Sequence, residues 1–399
     1  MQDTVKIVKA PGPSVIARLE NPPLSLYVHM PWCVRKCPYC DFNSHAAPED
    51  LPAETYIRAL VADLEQDLPL VWGRPVGSVY FGGGTPSLFT ADQVSDFLSA
   101  ARARLNLRPD VEITLEANPG TVEHDSFSAY AKAGINRVSL GVQSFDDELL
   151  RRIGRIHGRD EIDQCISALK SAGIVNFNID LMYALPGQNL ALLRRDMERA
   201  VCAGAAHISF YHLTIEPNTA FAARPPVLPG DDAAWEMQQA GLELLEKEGY
   251  GQYEVSAFAR KGLQSRHNMN YWRYGDFLAV GAGAHGKISL PATGEVQRYA
   301  KHRHPKRYMA GLDDGDWLAE KRVLGRKELV FEFFLNQLRL KQGVHIGDFS
   351  CRTGQSWQVV EDRVQQAIEK GLLERHRDRV RPTETGWRFV NDIQQMFLP

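Results

Sequence analysis

The stretch Ser25–Cys40, SLYVHMPWCVRKCPYC, joins a short β-rich run to three closely spaced cysteines. The chain has 6 cysteines in 399 residues, so half of them lie in this one segment. Cys33, Cys37 and Cys40 have the spacing CxxxCxxC directly after the expected strand. Where thiols stay reduced, clustered cysteines favour metal or redox chemistry over structural disulfides.

The composition is that of a globular chain with a nearly neutral charge. The hydrophobic fraction is 44% and the formal net charge is -3, which argues against nucleic acid as a partner, because such proteins usually carry a strong basic excess. No apolar run approaches the roughly 20 residues of a membrane span, and the N-terminus lacks the pattern of a secretory signal. We therefore expect a cytoplasmic protein; a peripheral membrane contact and a homodimer stay open.

Short β-rich runs alternate with longer amphipathic stretches from Ser25 to about Pro217. The runs are SLYVHM, SVYFGGG, VEITLEANP, RVSLGVQSF, NFNIDLMYALPG and HISFYHLTIEP. This βαβα order predicts an α/β fold with parallel strands and crossover helices. An open doubly wound sheet and a partial (β/α)6 TIM-like barrel both fit the order. We favour the barrel, because polar residues end successive strands, as they do on the active-site rim of a barrel.

Four segments are predicted along the chain. Residues 1–24 form an N-terminal lead-in, residues 25–217 the barrel core, and residues 218–300 an extension of the barrel. Residues 301–399 form a mainly helical C-terminal domain, in which helix-like segments such as KELVFEFFLNQLRL are followed by a short strand-like end, DRVRPTETGWRFV. This combination is typical of a winged-helix-like domain.

Three thiolates can bind three irons of a [4Fe-4S] cluster and leave the fourth iron open to a small ligand. Two other interpretations compete with this one. Zinc needs a fourth ligand, which His45 can supply. A thioredoxin-like dithiol needs only Cys37 and Cys40, which leaves Cys33 unexplained.

The cysteine segment resembles the radical SAM proteins, in which S-adenosylmethionine chelates the open iron through its amino and carboxylate groups. The resemblance runs from about Tyr27 through the C-terminal domain, and it is closest to the branch related to oxygen-independent coproporphyrinogen III oxidase. It implies a radical SAM barrel whose [4Fe-4S] cluster is held by Cys33, Cys37 and Cys40. One electron from such a cluster cleaves a C–S bond of the cofactor and releases a 5'-deoxyadenosyl radical.

Further residues at the strand ends match the cofactor-contacting positions of this family. Phe81–Pro86, FGGGTP, has glycines that allow a ligand to approach the backbone closely. An acidic residue suits the amino group of the cofactor, an amide suits its ribose or carboxylate, and an arginine fork suits its carboxylate. The resemblance implies these residues for S-adenosylmethionine: Tyr27, Tyr39, Gly83, Gly84, Thr85, Glu116, Gln143, Arg155 and Asp180.

Gly281–Gly286, GAGAHG, fits the dinucleotide-binding pattern G-x-G-x-x-G. Such a site needs a helix directly after the glycines and an acidic residue about 20 residues further on. The segment KISLPATG follows instead and predicts a strand and a turn. We therefore expect these glycines to bring the backbone against the barrel mouth.

Two features separate the heme carriers of this family from its oxidases. The oxidases carry an additional cysteine where this chain has Phe42. The segment His267–Trp272, HNMNYW, resembles the HNxxYW signature of the HemW-type heme chaperones, which bind heme and pass it to acceptor proteins. Imidazole is a natural axial ligand of heme iron, so His267 is the candidate heme ligand. Its rivals are His285, His302 and His304.

The resemblance therefore implies a heme chaperone that carries a [4Fe-4S] cluster and S-adenosylmethionine, with heme and heme-accepting proteins as partners. One alternative is a radical SAM enzyme such as the oxidase, which decarboxylates its substrate oxidatively. Another is a radical methyltransferase subunit, which would use further cysteines. We expect the remaining cysteines to be small buried hydrophobes instead: Cys165, Cys202 and Cys351.

Overall fold

The computed structural model describes residues 18–120 and 126–399, so most of the predicted lead-in, residues 1–24, lies outside the described residues. In chain order the strands are β1 (Leu24–Met30), β2 (Trp32–Cys33), β3 (His45–Ala46), β4 (Pro75–Gly83), β5 (Asn106–Ala117), β6 (Arg137–Gln143), β7 (Phe177–Tyr183), β8 (His207–His212), β9 (Gly251–Glu254), β10 (Ala257–Ala259), β11 (Asp276–Val280), β12 (His285–Leu290), β13 (Glu295–Lys301), β14 (Leu318–Val323), β15 (Val344–His345), β16 (Leu373–His376) and β17 (Arg379–Pro382). The α-helices are α1 (Ala53–Asp67), α2 (Ala91–Arg104), α3 (Phe127–Ala133), α4 (Asp147–Arg152), α5 (Arg159–Ser171), α6 (Leu190–Cys202), α7 (Ala220–Ala223), α8 (Asp231–Lys247), α9 (Arg266–Trp272), α10 (Pro305–Asp314), α11 (Arg326–Gln337), α12 (Ile346–Thr353), α13 (Gln358–Glu369), α14 (Glu384–Arg388) and α15 (Val390–Gln395).

Twelve strands of the described chain form one mixed sheet, in the order β14-β13-β12-β11-β1-β4-β5-β6-β7-β8-β10-β9. Strands β1, β4, β5, β6, β7 and β8 are parallel neighbours in chain order, and they contain the six runs predicted from the sequence. A doubly wound sheet reverses its strand order at a switch point. This series does not, so the six strands form the predicted partial barrel rather than the open alternative.

Alternation along β6 shows why this sequence produces a barrel with a polar interior. Val138, Leu140 and Val142 are buried, and they are the residues of β6 that do not line the interior cavity. The residues at the alternate positions line the cavity: Arg137, Ser139, Gly141 and Gln143. Successive side chains of a strand point to opposite faces, so one face of β6 packs under the helices and the other faces the interior.

The far end of the sheet is tied to the first helix by a buried ion cluster. Lys301, at the end of β13, donates to Asp63 at 2.5 Å and to Asp67 at 2.7 Å, both on α1. Tyr308 of α10 donates to Asp63 at 2.6 Å and accepts from the backbone N–H of Gly281 at 2.9 Å. Burial raises the pKa of Asp63 to about 6, although Lys301 opposes the shift. The cluster therefore ties α1 to β13 and α10, which follow it by more than 200 residues in the sequence.

The C-terminal part has its own small sheet and its own apolar core. Strands β15, β17 and β16 pair in that order beside α11, α12 and α13, which is the predicted helical, winged-helix-like arrangement. The core includes Phe334 and Phe397, whose rings stack 3.7 Å apart. The large sheet runs past residue 301 and ends with β14 at Val323.

The structure also tests three smaller predictions. GAGAHG leads into strand β12 and not into a helix, as expected. Cys165 is buried, but Cys351 is only partly buried and Cys202 is exposed. The expectation of a buried Cys202 was wrong because this residue is the last of α6, directly before the turn at Ala203–Gly204. Within the described ranges, no helix is long and apolar enough to cross a membrane.

Candidate functional site

The cysteine loop follows β1 and rests on the turn that follows β4. The N–H of Gly84 donates to the carbonyl of Met30, and the N–H of Thr85 donates to the carbonyl of Trp32, both at 2.7 Å. A Cβ at position 84 would lie 2.4 Å from the carbonyl oxygen of Trp32. Only glycine allows this approach, so the glycine-rich turn supports the start of the cysteine loop.

A cavity of about 410 Å³ opens at the carboxyl ends of the parallel strands, beneath the cysteine loop. It brings together most of the residues that the sequence predicted for the cluster and the cofactor. These residues line it: Cys33, Cys37, Tyr39, Cys40, Gly83, Gly84, Glu116, Gln143, Arg155 and Asp180. Thr85 lies beside it and lines a smaller pocket with Cys37, Asn118 and Arg155. Tyr27 and His267 do not line the cavity.

The three thiols are free and surround one end of this cavity. Burial raises the pKa of Cys33 and of Cys40, while hydrogen bonds from Thr85 and Ser44 oppose the rise for Cys33. A [4Fe-4S] cluster takes each thiolate on a different iron, so three thiols around a shared cavity fit it. A single zinc ion needs four ligands arranged around it. Among the described residues, no group of three histidine, cysteine or acidic side chains is arranged to hold one ion.

Arg155 connects the cysteine loop to the strand ends. It donates to the Sγ of Cys37 at 3.6 Å, to the Oδ1 of Asn118 at 2.6 Å and to the carbonyl of Gly141 at 2.6 Å. Asn118 in turn donates to the hydroxyl of Thr85 at 2.9 Å. The guanidinium is therefore held beside the thiol of Cys37, at the edge of the shared cavity.

Glu116 is a buried acid held by two donors. Tyr80 donates its hydroxyl proton to Oε1 at 2.7 Å, and the N–H of Gly83 donates to Oε2 at 3.1 Å. Burial raises its pKa to about 7, and the hydrogen bond from Tyr80 opposes this rise. Near neutral pH the group therefore lies close to its midpoint, so a bound amino group would favour the ionised form.

Asp180 and Gln143 lie on neighbouring strands at the same edge. Asp180 accepts from the amide of Asn178 at 2.8 Å and from the hydroxyl of Ser139 at 3.3 Å. Gln143 ends β6 with φ of 69°, a conformation that costs free energy for residues other than glycine and that is concentrated at functional sites. Both residues line the cavity.

Tyr27 lies behind the glycine-rich turn and not in the cavity. Its hydroxyl is 3.0 Å from Nδ1 of His29, and Nε2 of His29 is 2.9 Å from the carbonyl oxygen of Asn43. A carbonyl only accepts, so the proton of His29 is on Nε2 and Tyr27 donates to Nδ1. Burial lowers the pKa of His29 to about 4. The neutral imidazole therefore links Tyr27 to the end of the cysteine loop.

His267 lies on the short helix α9, a helix that the sequence did not reveal, and its side chain packs against β4. It is 9% exposed. Its Nδ1 lies 3.3 Å from the hydroxyl of Ser78, and its ring stacks on Tyr80 with the centroids 4.8 Å apart. Burial lowers the pKa of His267 to about 3. The imidazole is thus neutral, but it is packed under Tyr80, and the adjacent Asn268 lines the cavity in its place.

The rival histidines lie outside the cavity. His302 contacts Asp316 at 3.2 Å, and His285 is exposed at the start of β12. His304 is exposed, and its ring lies 5.5 Å from that of His45 on the cysteine loop. Phe42, on the same loop, is 61% exposed and lines the mouth of the cavity.

Sequence reasoning missed several cavity residues, notably Tyr80, Asn118, Arg137, Ser209 and Asn268. For β6 a signal was present, because RVSLGVQ alternates polar or small residues with apolar ones, and this alternation marks Arg137 as facing inward. For Asn268 there was no signal, because α9 has only 7 residues and its sequence has no clear helical period.

Two family models match the chain: the radical SAM superfamily over residues 27–200 and the HemN C-terminal domain over residues 324–389. The heme chaperone HemW of Haemophilus influenzae is 46% identical over 381 residues, which cover 94% of this chain and 98% of that protein. The heme chaperone HemW of Escherichia coli is 46% identical over 377 residues, with coverage of 94% and 98%. Among solved structures, the coproporphyrinogen III oxidase HemN of Escherichia coli matches with a TM-score of 0.80 at 23% identity, covering 96% of this chain and 91% of that one.

Proposed function

The chain belongs to the HemW heme chaperone family of the radical SAM superfamily, and on this premise we propose that it binds heme and passes it to acceptor proteins. In this proposal Cys33, Cys37 and Cys40 hold a [4Fe-4S] cluster, and S-adenosylmethionine binds at its open iron. The cluster and cofactor gate heme transfer. We place the protein in the cytoplasm, where thiols stay reduced; the membrane contact and the homodimer stay predictions.

The observation that carries the proposal is the shared cavity under the three thiols. Its strand ends offer an acid, an amide and an arginine at the carboxyl side of parallel strands, where barrel sites are assembled. Glu116 suits the amino group of the cofactor, Arg155 suits its carboxylate, and Gln143 and Asp180 suit its ribose. The turn formed by Gly83, Gly84 and Thr85 lets the cofactor approach the backbone closely. Tyr39 lies between two of the cluster ligands in the sequence. Tyr27 supports the glycine-rich turn from behind.

The position of His267 sets a condition on its predicted role as a heme ligand. Ser78 lies against its Nδ1, and Tyr80 covers one face of its ring. Nε2 is then the nitrogen left for iron, and because the side chain is only 9% exposed, we expect the surroundings of α9 to rearrange when heme binds. Phe42 at the cavity mouth is consistent with carriage rather than oxidation, because the oxidases of the family carry a cysteine there.

A heme titration of the protein reconstituted anaerobically with iron and sulfide tests the proposal. We expect saturable binding at one heme per chain, transfer of the heme to an apo-cytochrome, and no decarboxylation of coproporphyrinogen III with S-adenosylmethionine and a reductant. His267→Ala is compared with His376→Ala, an exposed histidine of the C-terminal domain, to test the axial ligand. Turnover of coproporphyrinogen with release of 5'-deoxyadenosine would contradict the chaperone function.

Binding of S-adenosylmethionine is expected to depend on pH through Glu116. Its pKa of about 7 means that the carboxyl is protonated at lower pH and then offers a proton toward the N–H donors of the ligand. Affinity should therefore rise from pH 6 to pH 8. The variant Glu116→Gln should weaken binding at pH 8 by about 10- to 100-fold, the range for a hydrogen bond to a charged group, and should flatten the rise.

The matched control is Glu148→Gln, which removes an exposed carboxylate of α4 that pairs with Arg151 and Arg152. Its affinity for S-adenosylmethionine, measured by calorimetric titration across the same pH range, should follow that of the wild type. A wild-type affinity that stays constant between pH 6 and pH 8 would be incompatible with Glu116 as the acceptor.

A further inference from the structure

Arg137 is a buried cation that the site described above does not use. It is the first residue of β6, six residues before Gln143, so its Cα lies roughly 20 Å below the strand end at about 3.3 Å per residue. Its side chain faces the interior and lines the cavity from below. It is only 2% exposed. Its Nε has no hydrogen-bond partner, and among the described residues no carboxylate lies within 4.0 Å of its guanidinium.

The charge of Arg137 acts on the neighbouring carboxylates of Glu116 and Asp180, but both accept their hydrogen bonds from other groups. The guanidinium lowers the pKa of both Glu116 and Asp180, against the larger effect of their burial. Glu116 is held by Tyr80 and Gly83, and Asp180 by side chains of its own and neighbouring strands. A buried charge without a direct partner costs free energy, so a guanidinium retained in this position points to a ligand that completes it.

Asn268 supplies a second polar group from the opposite element. It lies on α9 and lines the same cavity. Arg137 pairs with Thr114 of β5, and Thr114 pairs with Tyr80 of β4. The ring of Tyr80 stacks on the adjacent His267, so α9 lies at the level of Arg137 in the barrel. Arg137 thus contributes the planar N–H donors of its guanidinium to the floor of the cavity, and Asn268 contributes its side-chain amide.

We propose that Arg137 and Asn268 form a carboxylate-binding subsite on this floor, separate from the strand-end residues that suit S-adenosylmethionine. Arginine pairs with carboxylates through two parallel hydrogen bonds, and the amide adds a further donor. The inference rests on the proposed function, under which the carboxylate is a propionate of the bound heme. In this arrangement the HNMNYW segment contributes to heme binding through Asn268.

The test compares heme with heme dimethyl ester, in which both propionates are blocked, as ligands of the reconstituted protein. We expect the wild type to bind heme about 10- to 100-fold more tightly than the ester, the range for a hydrogen bond to a charged group. Arg137→Gln should bind the two ligands alike, and Asn268→Asp should reduce the preference by repulsion. Arg108→Gln, an exposed arginine of β5, should retain the wild-type preference.

The outcomes separate this inference from the proposed function. Absence of heme binding in the wild type would refute the proposed function, whereas heme binding with a preference that survives Arg137→Gln would overturn only the subsite. S-adenosylmethionine and its decarboxylated analogue form the second arm. If Arg137→Gln removes discrimination between those two and not between heme and its ester, the carboxylate is that of the cofactor and the assignment is wrong.

A folding measurement distinguishes a ligand site from a structural cation. If Arg137 serves a ligand, Arg137→Gln removes a buried charge that lacks a direct partner, and its denaturant midpoint should equal or exceed that of the wild type. A clear fall in that midpoint would show that Arg137 stabilises Glu116 and Asp180 and would overturn the proposal. Asn268→Asp leaves Arg137 in place, so the ligand comparison remains decisive in that variant.

Discussion

Cys37→Ser is expected to leave the protein without an intact iron–sulfur cluster after anaerobic reconstitution. The wild type should hold about four irons and four sulfides per chain, as a [4Fe-4S] cluster requires. A serine hydroxyl is a poor iron ligand, and the substitution also removes the sulfur that accepts from Arg155 at 3.6 Å. Iron and sulfide analysis, together with the paramagnetic resonance spectrum of the reduced protein, measures the loss.

Cys202→Ser is the matched control, because Cys202 is an exposed thiol at the end of α6 and does not line the cavity. This variant should retain the iron and sulfide of the wild type. Equal metal content in Cys37→Ser and Cys202→Ser would refute the three-cysteine cluster. Retention of one zinc per chain without sulfide would support the zinc alternative.

Lys301→Met is expected to lower the free energy of unfolding by about 3–5 kcal/mol, the range for removing one partner of a buried ion cluster. The lysine is fully buried and donates to both Asp63 and Asp67. Without it, two carboxylates of α1 remain buried, and among the described residues only Tyr308 and the backbone of Gly281 still donate, both to Asp63. Denaturant unfolding followed by circular dichroism measures the change.

Lys306→Met provides the control, because Lys306 lies nearby at the exposed start of α10. Its free energy of unfolding should stay within about 0.5 kcal/mol of the wild type, as for most surface substitutions. The loss in Lys301→Met should shrink at low pH, where protonation of Asp63, whose pKa is about 6, removes one buried charge. A loss independent of pH would argue that packing, not charge, is the cause.

The partial barrel was accessible from the sequence because each strand is a β-rich run followed by an amphipathic segment. Strands that are buried on both faces have nearly continuous apolar sequences, and β1 is such a strand. The cysteine spacing and the residues at the strand ends could be placed in the same cavity because parallel strands present their carboxyl ends at one edge.

The failures of sequence reasoning have a common cause in contacts between distant segments. Helix α9 has only 7 residues, and it forms where Glu112 of β5 accepts the N–H groups of Arg266 and His267. No local periodicity reveals such support. The imidazole of His267 therefore looked like an available ligand in the sequence, although the fold packs it against Ser78 and Tyr80.

The pairing of β1 with β11 has a consequence for how the protein is made. The cysteine loop follows β1, yet β1 is flanked by a strand that starts at Asp276, and Asn43 at the end of the loop donates to the carbonyls of Ala282 and Arg303. During synthesis the three thiols emerge more than two hundred residues before these supports. Contacts between such distant segments form late and slowly, so the frame of the loop is completed only once nearly the whole barrel has left the ribosome. A cluster can therefore enter its native frame only after the chain has been synthesised beyond Arg303.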